Sequence, residues 1–248
     1  MNPETAISCR RLTRTFGAFT AVDAISFDVR RGEIFGFLGA NGAGKTTAIR
    51  MLIGLLEPSG GEATVAGFDV RTESESLKRR IGYMSQRFSL YEDLTVRENI
   101  EFYGGVYGLS RNQIAERSAS LIDELGLIHA ADSQIRSLPL GWRQKLAFSV
   151  AVLHDPAIVF LDEPTGGVDP ITRRQFWELM YAKAEEGVTV FVTTHYMDEA
   201  EYCDRISIMV DGRIDAMGTP GDLKREFDAD SVNEVFVRLA RAGERGDG

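Results

Sequence analysis

Apolar and polar positions follow two different periods along the chain. Residues 22–29 alternate as in a half-buried strand, and residues 34–38 form the short apolar run of a fully buried one. Two more buried strands are predicted at 157–161 and 188–193, with a helix at 171–186 between them. Because strands alternate with helices, we expect an α/β fold with a mostly parallel sheet.

The middle of the chain has a different pattern from its beginning. The first 85 residues or so predict strands with one helix, which starts after Gly44, whereas residues 88–154 predict helices. Thr95 and Glu98 have the spacing of a capping box and predict a helix start. Nearer the end, Thr219 before a proline predicts another helix start, and 231–239 predicts a short helix followed by a Gly/Arg tail.

Composition narrows the class of protein. The 248 residues carry 28 Lys and Arg against 37 Asp and Glu, a formal net charge of −9, and this acidity disfavours a nucleic-acid partner. No apolar run approaches the roughly 18 residues of a membrane span, and the N-terminus does not have the pattern of a secretory signal. Cys9 and Cys203 lie far apart, which argues against a disulfide scaffold or zinc site. We therefore expect a cytosolic protein whose membrane role, if any, comes through a partner.

A glycine-rich segment predicts a phosphate site. Residues 39–46 match G-x-x-x-x-G-K-[ST] between a predicted strand and helix, the context that this motif requires. Glycines let backbone N–H groups turn towards phosphates, and the helix N-terminus adds partial positive charge. Lys45 would reach the β- and γ-phosphates, and the Thr46 hydroxyl would coordinate Mg²⁺. The predicted nucleotide-binding residues are Gly39, Ala40, Asn41, Gly42, Ala43, Gly44, Lys45, Thr46 and Thr47.

Two acids end one of the predicted buried strands. Asp162 and Glu163 follow an apolar run, and ligands bind at the carboxyl ends of strands in doubly wound sheets. Asp162 would hold Mg²⁺, directly or through water, and Glu163 would act as general base towards the attacking water. Together with the glycine-rich loop, they predict an enzyme that hydrolyses a nucleoside triphosphate.

Over nearly its whole length the chain resembles the ATP-binding subunit of an ABC transporter, with further motifs in the family's order. The resemblance implies that Phe16 stacks on adenine and that Gln86 senses Mg²⁺ and the attacking water. It also implies that Asp169, in the Thr-Gly-Gly-Val-Asp segment, crosses a dimer interface, and that His195 contacts the γ-phosphate.

The family's signature segment departs from its usual Leu-Ser-Gly-Gly-Gln form. Here it comprises Leu138, Pro139, Leu140, Gly141, Trp142, Arg143 and Gln144, and the resemblance implies that it binds ATP held by a second subunit. Proline removes a hydroxyl and an N–H donor, so the amides of Gly141 and Trp142 are expected to bind the anion. This variant is similar to one half of the two-ATPase subunits of ABC-2 type exporters, including bacterial multidrug pumps.

The resemblance implies a P-loop NTPase (RecA-like) core with an N-terminal antiparallel β-subdomain and an inserted helical subdomain. We expect one domain over 1–248: a core with the β-subdomain at 1–87 and 155–230, a helical subdomain at 88–154, and a C-terminal helix and tail at 231–248. The implied function is ATP hydrolysis that powers a membrane exporter through ATP-driven dimer closure, with ATP and Mg²⁺ as cofactors. The implied partners are a second ATPase domain, identical or unlike, and a permease at the inner face of the membrane.

Other readings remain open at this point. A soluble ABC ATPase acting on ribosomes or DNA is the main alternative, although such chains usually carry coiled-coil insertions or two fused ATPase domains. A P-loop kinase or GTPase is disfavoured because the Asn-Lys-x-Asp motif is absent from the sequence. A groove for a permease helix is expected near Gln86 and residues 88–99, with Phe88, Leu90 and Tyr91 either lining it or packing inside the helical lobe.

Overall fold

The computed structural model describes residues 4–86 and 90–246. Its strands are β1 Thr5–Phe16, β2 Phe19–Arg30, β3 Ile34–Gly39, β4 Gly60–Val65, β5 Phe68–Asp69, β6 Ile81–Met84, β7 Ile158–Asp162, β8 Thr189–Thr194, β9 Arg205–Val210 and β10 Arg213–Gly218. Its α-helices are α1 Lys45–Leu52, α2 Ser74–Lys78, α3 Val96–Val106, α4 Arg111–Glu124, α5 Leu140–Ala151, α6 Pro170–Glu185, α7 Pro220–Glu226 and α8 Val232–Gly246.

The larger sheet is mainly parallel and places the predicted chemistry at one edge. Its strand order is β10-β9-β3-β8-β7-β6, with only the edge strand β10 antiparallel to its neighbour. Leu38 of β3 pairs with Thr194 of β8, and Asp162 of β7 pairs with Thr193. The carboxyl ends of β3, β7 and β8 are therefore neighbours.

A smaller antiparallel sheet, ordered β2-β1-β4-β5, packs against the same core. One apolar cluster joins both sheets to α1, and the Phe27 ring of β2 stacks on Phe35 of β3 with centroids 5.7 Å apart. Phe191 of β8 extends this aromatic contact across the larger sheet. Helix α1 is thereby held at a fixed position, which also positions the loop that precedes it. The expected core with an antiparallel β-subdomain is confirmed.

Helices α3 to α5 lie on the opposite face of the larger sheet and share an apolar cluster with β3, β7 and β8. The predicted capping box is present: the Thr95 hydroxyl accepts from the Glu98 N–H at 3.1 Å, and the Glu98 carboxylate accepts from the Thr95 N–H at 2.8 Å. Thr219 caps α7 as predicted, accepting from the Asp222 N–H. The division into subdomains at 88 and 155 stays a prediction.

Some elements differ from the sequence expectation. Helix α2, Ser74–Lys78, adds a second helix to the first 85 residues; five residues are too few for a helical period to be visible. Helix α8 continues to Gly246 instead of ending at 239, because Ala and Arg after 239 favour helix. In the part of the chain that the structure describes, no helix is both long and apolar enough to cross a membrane.

Candidate active site

A cavity of about 260 Å³ opens where the carboxyl ends of β3 and β7 meet the start of α1. Glycine-rich backbone, one lysine and one carboxylate surround it, so it offers both the N–H groups and the cation that a phosphate needs. Its lining residues are Phe19, Ala21, Asn41, Gly42, Gly44, Lys45, Thr46, Thr47, Gln86 and Glu163.

The loop before α1 is folded around the lysine side chain. Gly44 has φ +103°, and a Cβ there would lie 2.3 Å from the Ala21 carbonyl oxygen, so only glycine fits. Lys45 Nζ donates to the carbonyl oxygens of Gly39 at 2.8 Å and Ala40 at 3.1 Å, and the residue is only 5% exposed. The Ala43 N–H closes the turn onto the Ala40 carbonyl at 3.2 Å. Six of the nine predicted phosphate-loop residues line the cavity, namely Asn41, Gly42, Gly44, Lys45, Thr46 and Thr47.

Asp162 is almost fully buried and its two oxygens are held by hydroxyl groups. Oδ2 accepts from Thr46 Oγ1 at 2.9 Å, and Oδ1 accepts from Thr193 Oγ1 at 2.7 Å. Among the described residues no group of three or more His, Cys, Asp or Glu side chains is arranged so that it could hold a metal ion. Mg²⁺ does not need one, because it usually binds one or two protein oxygens together with phosphates and water. Thr46 and Asp162 therefore fit Mg²⁺ next to a bound triphosphate.

The Glu163 carboxylate contacts the other three predicted catalytic residues, Lys45, Gln86 and His195. Glu163 sits in the left-handed region with φ 50°, a conformation that costs a non-glycine residue about 1–3 kcal/mol and is typical of functional sites. Its Oε1 lies 3.2 Å from Lys45 Nζ, while Oε2 accepts from Gln86 Nε2 at 2.9 Å and contacts His195 Nδ1 at 3.0 Å. Its N–H donates to Thr193 Oγ1 at 3.0 Å. Thr193 Oγ1 thus contacts both acids, donating to Asp162 and accepting from the Glu163 N–H. This role was not predicted, because a threonine inside an apolar strand carries no separate signal.

The prediction that Phe16 stacks on adenine stays a prediction. Phe16 ends β1, is 47% exposed, and carries the Arg14 guanidinium 4.6 Å above its ring. It does not line the cavity, whereas Phe19 at the start of β2 does and is 64% exposed. Phe19 was not predicted as a site residue; its only sequence signal is an apolar side chain at an exposed strand end.

The signature segment forms the first turn of α5. Pro139 caps the helix without a side-chain hydrogen bond, and its carbonyl oxygen accepts from the N–H groups of Trp142 at 3.1 Å and Arg143 at 3.2 Å. In this conformation the Trp142 N–H donates within the helical turn, and the binding of an anion by the Gly141 and Trp142 amides stays a prediction. Arg143 instead pairs with Glu92 at 3.2 Å.

A second cavity, of about 450 Å³, lies between this segment and the start of α6. It shares no lining residue with the first cavity. Asp169 caps α6, and hydrogen bonds from the Thr172 hydroxyl and backbone N–H lower the pKa of its carboxyl. Leu138 is buried, and Gln144 Nε2 donates to the Gly166 carbonyl at 3.1 Å, which ties α5 to the loop after Glu163. The lining residues are Pro139, Leu140, Gly141, Trp142, Lys145, Gly167, Val168, Asp169, Thr172 and Gln175.

The residues expected at a permease groove lie in different surroundings, and the groove itself stays a prediction. Phe88 lies outside the described residues, and Leu90 is buried at 5% exposure, so it packs inside the helical part. Tyr91 is half exposed and its ring meets Phe102 edge-on at 4.9 Å. A third cavity of about 420 Å³ adjoins α3, with the exposed side chains of Leu55 and Val106 on its wall.

Residues 22–166 match the family model described as ABC transporter. The chain belongs to the ABC transporter family. This confirms the family resemblance seen in the sequence motifs, and it explains the order in which Gln86, the signature segment and Glu163 follow the phosphate loop.

Individual ABC proteins are similar over most of this chain. This chain is 47% identical to the probable multidrug ABC transporter ATP-binding protein YbhF of Escherichia coli. The similarity covers 95% of this chain but only 42% of YbhF. The chain is 40% identical to the daunorubicin/doxorubicin resistance ATP-binding protein DrrA of Streptomyces peucetius, covering 99% of this chain and 74% of DrrA. Among solved structures, an ATP-binding subunit of an ABC transporter superposes with a TM-score of 0.85 at 32% identity, covering 95% of this chain and 99% of that one.

Proposed function

We propose that this chain binds and hydrolyses ATP with Mg²⁺ and thereby powers a membrane exporter of the ABC-2 type. The observation that carries the proposal is the convergence of Lys45, Gln86 and His195 on the Glu163 carboxylate, beside the Thr46–Asp162 pair. The names of YbhF and DrrA, multidrug and drug-resistance ATP-binding proteins, support export over action on ribosomes or DNA.

Each residue of the site has a distinct task in this proposal. Lys45 leaves the Glu163 carboxylate and holds the β- and γ-phosphates, so that Glu163 is free to orient a water and accept its proton. His195 steadies the γ-phosphate and Gln86 positions the water, each now within 3.0 Å of the same Glu163 oxygen. Mg²⁺, held by Thr46 and Asp162, would neutralise charge that develops on the phosphates. Catalysis in this proposal comes mainly from positioning and electrostatic stabilisation.

The separation of the two cavities supports a second ATPase domain as a partner. The signature segment lines a cavity that has no wall in common with the phosphate-loop cavity of the same chain. We propose that two such domains pair head to tail, so that the signature segment and Asp169 of one face the ATP held by the other. The pair is symmetric if the partner is a second copy, and asymmetric if it is an unlike ATPase.

The membrane partner would be a permease that docks on the helical side. The cavity next to α3 combines apolar walls with charged side chains, a combination that suits an amphipathic helix. We propose that it and the neighbouring Tyr91–Phe102 pair receive a cytosolic helix of the permease, which would place the chain at the cytoplasmic face of the membrane. The cavity is lined by Ile53, Leu55, Glu75, Lys78, Arg79, Ile81, Tyr83, Val106 and Tyr107.

Two substitutions test the proposal. Lys45→Ala should abolish tight ATP binding, since it removes the only cation in the cavity's described lining. Glu163→Gln should bind ATP, stop hydrolysing it and, if the signature variant still closes, form an ATP-dependent dimer in light scattering. Retained micromolar affinity in Lys45→Ala, or unchanged turnover in Glu163→Gln, would contradict the assigned roles.

A further inference from the structure

A buried carboxylate lies behind the active site and takes no part in the proposed hydrolysis. Glu199 follows β8 and is 0% exposed. Its Oε1 accepts from the Thr165 hydroxyl at 2.6 Å and lies 3.5 Å from Arg173 Nε. A buried charge is costly unless it is paired, so this cluster calls for an explanation beyond ordinary packing.

The three residues come from the three segments that frame the γ-phosphate end of the site. Thr165 belongs to the loop that follows Glu163, and the Gly166 N–H of that loop donates to the Glu163 carbonyl at 3.2 Å. Glu199 belongs to the turn that follows His195. Arg173 lies on α6, one turn after Asp169, whose carbonyl accepts from the Arg173 N–H at 2.9 Å.

Arg173 also reaches the histidine through an aromatic ring. Its guanidinium carbon lies 4.2 Å from the centroid of the Tyr196 ring, and that ring lies 4.2 Å from the His195 imidazole. A second, exposed carboxylate, Asp198, is 3.5 Å from Arg173 Nη1. A planar guanidinium can stack on a ring and pair with a carboxylate together, which a lysine ammonium does less well.

We infer that Arg173, Glu199 and Thr165 form a positioning unit that fixes the loop bearing Glu163 against the turn bearing His195. Because Arg173 and Asp169 share the first turns of α6, the unit also links the proposed dimer contact to the hydrolytic site. None of the three residues lines the nucleotide cavity, so the unit acts on the rate of hydrolysis and not on nucleotide binding. The inference rests on the proposed function, in which Glu163 and His195 act on the γ-phosphate.

The hydrogen bonding of the cluster is incomplete in this conformation. Within the described part of the chain, Glu199 Oε2 and Arg173 Nε are buried without a hydrogen-bond partner. Leaving buried polar groups unsatisfied is unfavourable, so a small approach of α6 towards the turn would be favourable. A second ATPase domain that closes on Asp169 would move α6 in this direction.

The test compares turnover with nucleotide affinity in the full chain. Arg173→Lys keeps the charge and loses the planar fork, and Thr165→Val keeps the size and loses the hydroxyl. Each should lower kcat about tenfold or more, as misplaced catalytic groups do, while the KM for ATP changes less than about twofold. Thr165→Ser restores the hydroxyl and should restore kcat. Arg174→Ala, which removes only an exposed ion pair to Glu178 on the same helix, should leave both constants unchanged.

The controls separate a positioning role from loss of folding. Turnover is expressed per ATP-binding site, and the melting temperature of each variant is recorded. Combining Arg173→Lys with Thr165→Val should cost less than the product of the single effects, because both act through Glu199. Wild-type kcat per binding site in both single variants would overturn the inference.

Glu163→Gln is measured in the same series to distinguish a failure of the proposed function from a failure of the positioning unit. If the wild type hydrolyses no ATP, the proposed function itself fails, and if Glu163→Gln keeps the wild-type rate, the role of Glu163 fails. If Glu163→Gln is inactive while Arg173→Lys and Thr165→Val keep wild-type kcat, only the positioning unit is refuted.

Discussion

Replacing Glu163 with glutamine is expected to raise the affinity for ATP as well as stop its hydrolysis. In the structure, Lys45 Nζ and Glu163 Oε1 are 3.2 Å apart, with side chains 4% and 9% exposed. A triphosphate needs the same ammonium group, so ATP binding competes with this ion pair. Glutamine keeps the size of the side chain but not its charge, and therefore releases Lys45.

The size of the effect follows from the geometry. Two unit charges at this separation attract by about 5 kcal/mol at an effective dielectric constant near 20. Desolvation offsets much of this, and a hydrogen bond to a charged group contributes about 1.5–3 kcal/mol net. Losing that competition would tighten ATP binding by about ten- to a hundredfold. Hydrolysis should fall by about 10²- to 10⁴-fold, the usual contribution of a general base.

A double-mutant cycle separates the ion pair from simple charge repulsion, because removing any carboxylate near a triphosphate also improves binding. Equilibrium binding of a fluorescent ATP analogue with Mg²⁺ is measured for the wild type, Glu163→Gln, Lys45→Met and the double variant. We expect the gain from Glu163→Gln to be clearly smaller in the Lys45→Met background, with a coupling of about 1 kcal/mol or more. An equal gain in both backgrounds would refute the competition between Glu163 and ATP for Lys45.

The remaining predictions concern packing, thiol chemistry and the metal. Gly141→Ala should destabilise the fold by about 1–3 kcal/mol in urea unfolding, because its Cβ would lie 2.5 Å from a threonine methyl of α6. Gly105→Ala, which meets open space on α3, should stabilise by up to about 1 kcal/mol; equal effects would contradict the clash. Burial raises the pKa of Cys9 from 9.0 to about 12 and that of Cys203 well above its ordinary value. The contribution of Cys9 to stability is therefore complete below pH 9 and is lost as the pH rises towards 12. Rapid labelling of either cysteine in the native protein by a thiol reagent at pH 8 would contradict this burial. Asp162→Asn should make ATP affinity insensitive to removal of Mg²⁺ by a chelator, whereas the wild type loses affinity; an unchanged chelator response in the variant would remove Asp162 as a metal ligand.

Local patterns were sufficient for much of the fold and for the centre of the site. The phosphate loop is a contiguous motif between a strand and a helix, and its glycines are needed for backbone reasons that operate within a few residues. Thr95 and Thr219 cap helices as predicted, because caps depend on the side chain and the next three N–H groups. Glu163 and His195 could be located because each directly follows an apolar strand of a parallel sheet.

The sequence by itself determined the family, the parallel core and the residues at the ends of its strands. Only the tertiary structure decided which residues touch: that Lys45 pairs with Glu163, that the Trp142 N–H donates to the Pro139 carbonyl, and that Phe19 lines the cavity. It also decided that the signature segment faces a separate cavity. The physical reason is the distance along the chain over which each interaction acts. Strand and helix periods and caps arise from neighbouring residues, whereas contacts between distant segments depend on sheet register and on how the helices pack against the sheet.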